Sequence, residues 1–230
     1  MPTAFALALR QLFDPAILRI LFKCILITLA IFAVLATASF YALDWLFDWL
    51  GLTEASVAGA EGIRGALSVL LIVIGGWLLW RIVALAVVQF FTDDVVQAVE
   101  AKHYPAARET ARVLPFRREL RIAMRGVRRS LGYNLLALPL ALLLLFTAIG
   151  PAIVFLVVNA LLLGRELTEM VWLRHEPAPD APLPLARGTR FAMGGIVAGG
   201  LLIPFVNLLA PVFGAAFATH LVHRSGKTAQ

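Results

Sequence analysis

Cysteine is almost missing from this chain: Cys24 stands alone, so neither an intrachain disulfide nor a thiolate metal cluster can form. Charge is scarce as well. Only 15% of residues are charged, while 61% are hydrophobic and mean hydropathy is +0.88; soluble domains carry about 25% charge. The 230 residues leave room for one compact membrane domain, 1–230, and none for a separate soluble module. No nucleophile–base pair, metal cluster or phosphate-binding loop stands out, so neither enzymatic activity nor a cofactor is expected. The net charge of +6 could suggest nucleic acid. The basic residues flank apolar runs, however, which points to membrane topology and anionic lipid, with no nucleic-acid partner.

What is present is hydrocarbon-like sequence in blocks. Asp14-Pro15 is a good helix start, because Asp accepts from free backbone N–H groups and proline suits the first helical position. The apolar run that follows, about 16–42, is long enough to span a membrane, and a second long span covers about 65–92. Between them lie Asp44, Asp48, Glu54 and Glu61. The basic amphipathic segment 93–130 carries nine Lys or Arg between Asp93 and Arg129. The positive-inside bias places this segment and the N-terminus in the cytoplasm and the acidic loop outside.

Within the basic segment, helical periodicity gathers Arg117, Arg118, Arg121, Arg125, Arg128 and Arg129 on one arc of about 120°. Phe116, Leu120, Ala123, Met124 and Val127 fall opposite. That is an interfacial helix, serving either as a lipid anchor or as an arginine surface that concentrates anions at a pathway entrance.

Two apolar hairpins follow, at 131–173 and 190–224. Each is interrupted by uncharged turn residues, Ile149-Gly150-Pro151 in the first and Ile203-Pro204-Phe205-Val206-Asn207 in the second. Their arms are shorter than a full span, so each is expected to enter the membrane and turn back, with other helices covering the turn. The expected fold is an all-α integral membrane protein. It has two long transmembrane helices, two half-penetrating helical hairpins and amphipathic interfacial helices. Short apolar arms broken by Gly and Pro point to a transporter site, although membrane helices also use glycine simply to pack closely.

Several polar residues are candidates for that pathway. Arg81 lies within the second span, where a charge costs about 2.5–3.5 kcal/mol and must face a cavity or a partner. Arg165, Glu166 and Glu169 close the first hairpin; Arg165 and Glu169 share a helix face and either pair or line a gate. Asn207 either satisfies freed backbone groups or touches solute. His220 and His223, one turn apart, could supply half of a metal site, but no third ligand is evident, so none is expected.

Six pieces of the chain, in order, resemble the CysZ sulfate permeases and the wider etoposide-induced protein 2.4 superfamily. They are Asp14 through Arg19, the arginine helix leading into Asn134 and Leu138-Pro139, Ile149-Gly150-Pro151, Asn159 through Glu166, Ile203 through Leu208, and Pro211 through Thr219. The resemblance implies a multi-pass bacterial inner-membrane protein, assembled as a homo-oligomer, that passes sulfate inward for cysteine synthesis. It also implies that the anion sits at the start of the first long helix, on Ala16, Ile17, Leu18 and Arg19, where N–H groups and the helix dipole favour it. Ala16 stands where the permeases have glycine, and Gln89-Phe90-Phe91 stands where many have Ala-Pro-Phe. The alternative is a non-transporting membrane organiser or interaction protein of the same superfamily.

Overall fold

The computed structural model describes residues 1–51, 59–147, 149–178, 181–204 and 206–227; the side chains of Ala60, Arg81, Gly226 and Lys227 are outside that description. Among the described residues every regular element is a helix: α1 (Pro2–Gln11), α2 (Pro15–Trp49), α3 (Ala60–Phe90), α4 (Thr92–His103), α5 (Pro105–Thr110), α6 (Phe116–Leu143), α7 (Gly150–Trp172), α8 (Arg187–Leu202) and α9 (Val206–Lys227), with a 3₁₀ turn at Leu144–Phe146. Five of these, α2, α3, α6, α7 and α9, contain stretches long and apolar enough to cross a membrane. The protein is an all-α, multi-pass membrane protein. The chain divides into two compact units, Arg19–Phe90 and the remainder, Met1–Leu18 with Phe91–Gln230.

In the smaller unit, α2 continues past the expected end near residue 42 to Trp49. The added turns carry Asp44 and Asp48 one turn apart. Both carboxylates hold Arg64 of α3, Asp48 at 2.7 Å. The part of the expected acidic loop that holds Asp44 and Asp48 is therefore helix. Glu54 lies outside the described residues.

The larger unit is built on α9. This helix is rich in small residues, and Ala210, Ala215, Ala216, Phe217, Ala218, Thr219 and His220 are all at most 3% exposed. Around it pack α8, α1, α4 and α7. Phe5 of α1 meets Phe213 and Phe217 edge-on, with ring centres 5.3 and 5.9 Å away. Val95, Val96 and Val99 of α4 are fully buried.

The α7–α8 crossing depends on two glycines. A Cβ on Gly164 would fall on the Arg190 carbonyl, and one on Gly194 would fall on the Ala160 carbonyl. Only a bare backbone permits this approach, as in other tightly packed membrane helix pairs.

Both hairpins are present, and the first differs in extent from the sequence expectation. The arginine helix does not stop at residue 130; it runs unbroken into the first arm as α6. Nothing at Ser130-Leu131 can break it, since Pro139 is the first proline after Pro115. The turn also lies earlier than Ile149-Gly150-Pro151, because Gly150-Pro151 already forms the first turn of α7, where proline needs no donor. The Thr147 hydroxyl caps that start, accepting from the Gly150 N–H at 3.0 Å and donating to the Leu144 carbonyl at 2.7 Å. By length and composition α6 and α7 can each cross a membrane in full, so the expectation that both arms of this hairpin fall short of a span is not met: the apolar run of each helix continues into its charged turns. In the second hairpin α8, with 16 residues, is shorter than a span, whereas α9 is long enough to cross.

Candidate functional site: an arginine-lined cavity

The amphipathic start of α6 builds the site. Pro115 in extended conformation precedes the helix, so the arginine face begins at the first turn. Arg117, Arg118, Arg121, Arg125 and Arg129 from that face line a cavity of about 580 Å³. Arg165, Glu169 and Trp172 of α7 form the opposite wall. Glu176, Ala181 and Leu183, in the connector to α8, close it. Arg128, expected on the same arc, is not part of the lining.

Six arginines therefore face two glutamates. Glu169 takes a forked pair of bonds from Arg129, Nη1 at 3.0 Å and Nη2 at 2.9 Å. It also accepts from Arg165 Nε at 2.6 Å. Arg118 pairs with Glu176. Arg117 and Arg121 have no ion pair among the described residues and point their charge at the cavity. Arg129 Nε and Trp172 Nε1 are buried donors without a partner among the described residues. An excess of forked cationic donors around a cavity suits a tetrahedral oxyanion. The Arg165–Glu169 pairing was legible from their spacing; the third member, Arg129, comes from 36 residues earlier and was not.

The other expected positions are scattered. At the start of α2, Asp14 Oδ1 accepts the Ala16 N–H at 3.0 Å, so a resident carboxylate already caps the helix where an anion was expected. Lys102 of α4 pairs with the same Asp14. The Lys102 hydrogen bond, followed by that from the Ala16 N–H, holds the Asp14 carboxyl below its ordinary range. Ile17 is buried, whereas Ala16, Leu18 and Arg19 are exposed, and Arg19 has no ion pair among the described residues. Arg81 lies in α3, but its side chain is outside the described residues. Glu166 is exposed on α7 and is not among the cavity residues. Asn207 is 1% exposed at the start of α9, with its Oδ1 unpartnered among the described residues.

The family model described as sulfate transporter CysZ/etoposide-induced protein 2.4 matches residues 4–211. The chain belongs to this family. No curated protein matches it. Every residue lining the arginine cavity lies inside the CysZ-family match, while His220 and His223 lie beyond its end.

His223 belongs to a second cluster that sequence reading missed. Glu100 of α4 is fully buried, and its Oε1 meets His175 Nε2 at 2.7 Å and His223 Nε2 at 3.1 Å. Burial pushes the Glu100 carboxyl up, but the hydrogen bonds and charge of His175 and His223, with Arg174, outweigh it and hold the group at about 2. His220, one turn from His223, does not share this cluster. His220 instead bonds Tyr104 Oη at 2.9 Å and Gln11 Oε1 at 2.8 Å. The sequence signal was only the buried type of residue, His and Glu in otherwise apolar faces, since 75 and 123 positions separate the partners.

Proposed function

We propose that this CysZ-family protein is an anion permease, with sulfate as its preferred substrate, in a bacterial inner membrane. In this reading it works as a homo-oligomer and supplies sulfate for cysteine synthesis. The observation that carries the reading is the cavity where six arginines face two glutamates. Its positive field raises the local anion concentration, and the unpaired Arg117 and Arg121 give an arriving oxyanion its first contacts. Glu169, shared by Arg129 and Arg165, then acts as a displaceable counter-ion. Sulfate takes over those donors as it enters, and the carboxylate takes them back as it leaves, so Arg129, whose side chain is 17% exposed, is not left as an unpaired charge. The basic segment faces the cytoplasm, where anionic lipid adds to its retention.

A second reading has its own support. The Asp14 carboxylate occupies the helix start that the resemblance assigns to sulfate, as a non-transporting membrane organiser would permit.

Uptake of labelled sulfate into proteoliposomes separates the two, with sulfite, thiosulfate and chloride as competitors. Saturable uptake is expected, reduced roughly tenfold or more in Arg117→Ala/Arg121→Ala, since one charge-assisted hydrogen bond is worth about 1.5–3 kcal/mol. Arg19→Ala is expected to reduce uptake as well; unchanged flux there would remove Arg19 from the pathway. Absence of saturable flux in the unmodified protein would sink the permease reading and leave the organiser.

A further inference from the structure

All four histidines of the chain come together in the larger unit. His103 lies 5.2 Å from His220 between ring centres, and His175 lies 4.9 Å from His223, with Tyr104 packed against both His220 and His223. Among them, Glu100, His175 and His223 each offer one ligand atom, and those atoms lie within 4.8 Å of one another. We propose that Glu100, His175 and His223 form a binding site for a zinc-class divalent transition-metal ion.

The donor set decides the class of ion. Two imidazole nitrogens and one carboxylate oxygen match the three-ligand zinc arrangement that keeps a fourth position for water. Calcium and magnesium call for six or more oxygens and are excluded by the imidazoles. Ligands about 2.0–2.2 Å from a tetrahedral zinc lie roughly 3.3 Å from one another. The present Nε2–Oε1 separations of 2.7 and 3.1 Å are already close to that spacing.

The surroundings point the same way. Glu100 Oε2 is buried without a hydrogen-bond partner among the described residues, and so is Arg174 Nη1, 3.9 Å from it. A metal held through Oε1 would leave Oε2 to Arg174, which would anchor the carboxylate from the far side, as outer-shell partners do. The His175 and His223 side chains are only 11% and 10% exposed. The three ligands come from α4, the turn after α7, and α9, so an ion would tie three separate elements together. His220 cannot join, because both its ring nitrogens are engaged.

Full-length protein in detergent, with any affinity tag removed, is stripped with a chelator. It is then titrated with zinc chloride against a colorimetric chelator, and separately with cobalt(II). One equivalent per chain and the visible bands of four-coordinate cobalt are expected. His175→Ala and His223→Ala should weaken binding by more than the roughly 10–100-fold produced by losing an outer-shell partner. His103→Ala should bind normally. Glu100→Gln, which preserves shape and hydrogen bonding, provides the ligand deletion if a histidine variant elutes as aggregate. Failure of the unmodified protein to bind one equivalent, or unchanged affinity in His175→Ala, His223→Ala and Glu100→Gln, would overturn the site.

Discussion

α2 and α9 are both apolar helices that pass as membrane spans, yet their surroundings are opposite. Of the most apolar window in α2, 6% is buried inside the protein; in α9 it is 67%. The sequences show why. α2 carries Leu, Ile and Phe side chains around its whole circumference, with Phe22 60% and Leu29 61% exposed. α9 presents Ala210, Gly214, Ala215, Ala216 and Ala218, small enough for neighbours to approach. In lipid, where hydrocarbon tails are as apolar as leucine, helices associate through close packing rather than through hydrophobicity. Small residues therefore mark the helix that its own unit encloses, and large ones mark the helix whose surface is left uncovered.

Substituting glycines in the two regions tests this contrast at the backbone. Gly164→Leu should drive a side chain into the Arg190 backbone, which cannot yield, at the upper end of the ~1–3 kcal/mol of an overpacked core. Gly75→Leu in α3, which has nothing within 4 Å, should shift stability by less than about 0.5 kcal/mol. Melting of the detergent-solubilised variants, read by size exclusion after heating, makes the comparison; equal losses would contradict the packing contrast.

Truncating an aromatic in each helix sharpens the same point. Phe217→Ala in α9 removes a ring with no exposed surface and should cost about 3–5 kcal/mol. Phe22→Ala in α2 should cost less than about 0.5 kcal/mol. Comparable melting shifts for the pair would mean that α2 is as well packed as α9.

The smallest effect belongs to Asp14. Its carboxyl is depressed below 3.8 by Lys102 and the Ala16 N–H. A depressed carboxylate adds stability above its unfolded pKa, and that contribution disappears as pH falls through the folded one. Stability should therefore fall below pH 3.8 by slightly more in the unmodified protein than in Asp14→Asn. Identical pH profiles would show that the carboxylate does not anchor the helix start.

The arginine arc, the proline starts of α2 and α7, and the Arg165–Glu169 pair were legible because they are local: 3.6-residue periodicity and capping act within a turn or two. The join between the arginine helix and the first hairpin arm was missed because the change from basic to apolar sequence looks like a boundary, although no helix-breaking residue stands there. Arg64 holding Asp44 and Asp48, and Arg129 completing the grip on Glu169, escaped for a different reason. Ion pairs between helices leave no periodic trace in either partner.

The sequence alone determined that this chain is a helical membrane protein, where its apolar runs lie, and that one α6 face is cationic, since hydropathy and periodicity are properties of short windows. Tertiary structure alone decided which helix is enclosed, which arginines meet around a cavity, and that Glu100 joins His175 and His223. Those outcomes depend on which backbones can approach one another, and at Gly164 and Gly194 that approach is set by the absence of a single carbon atom.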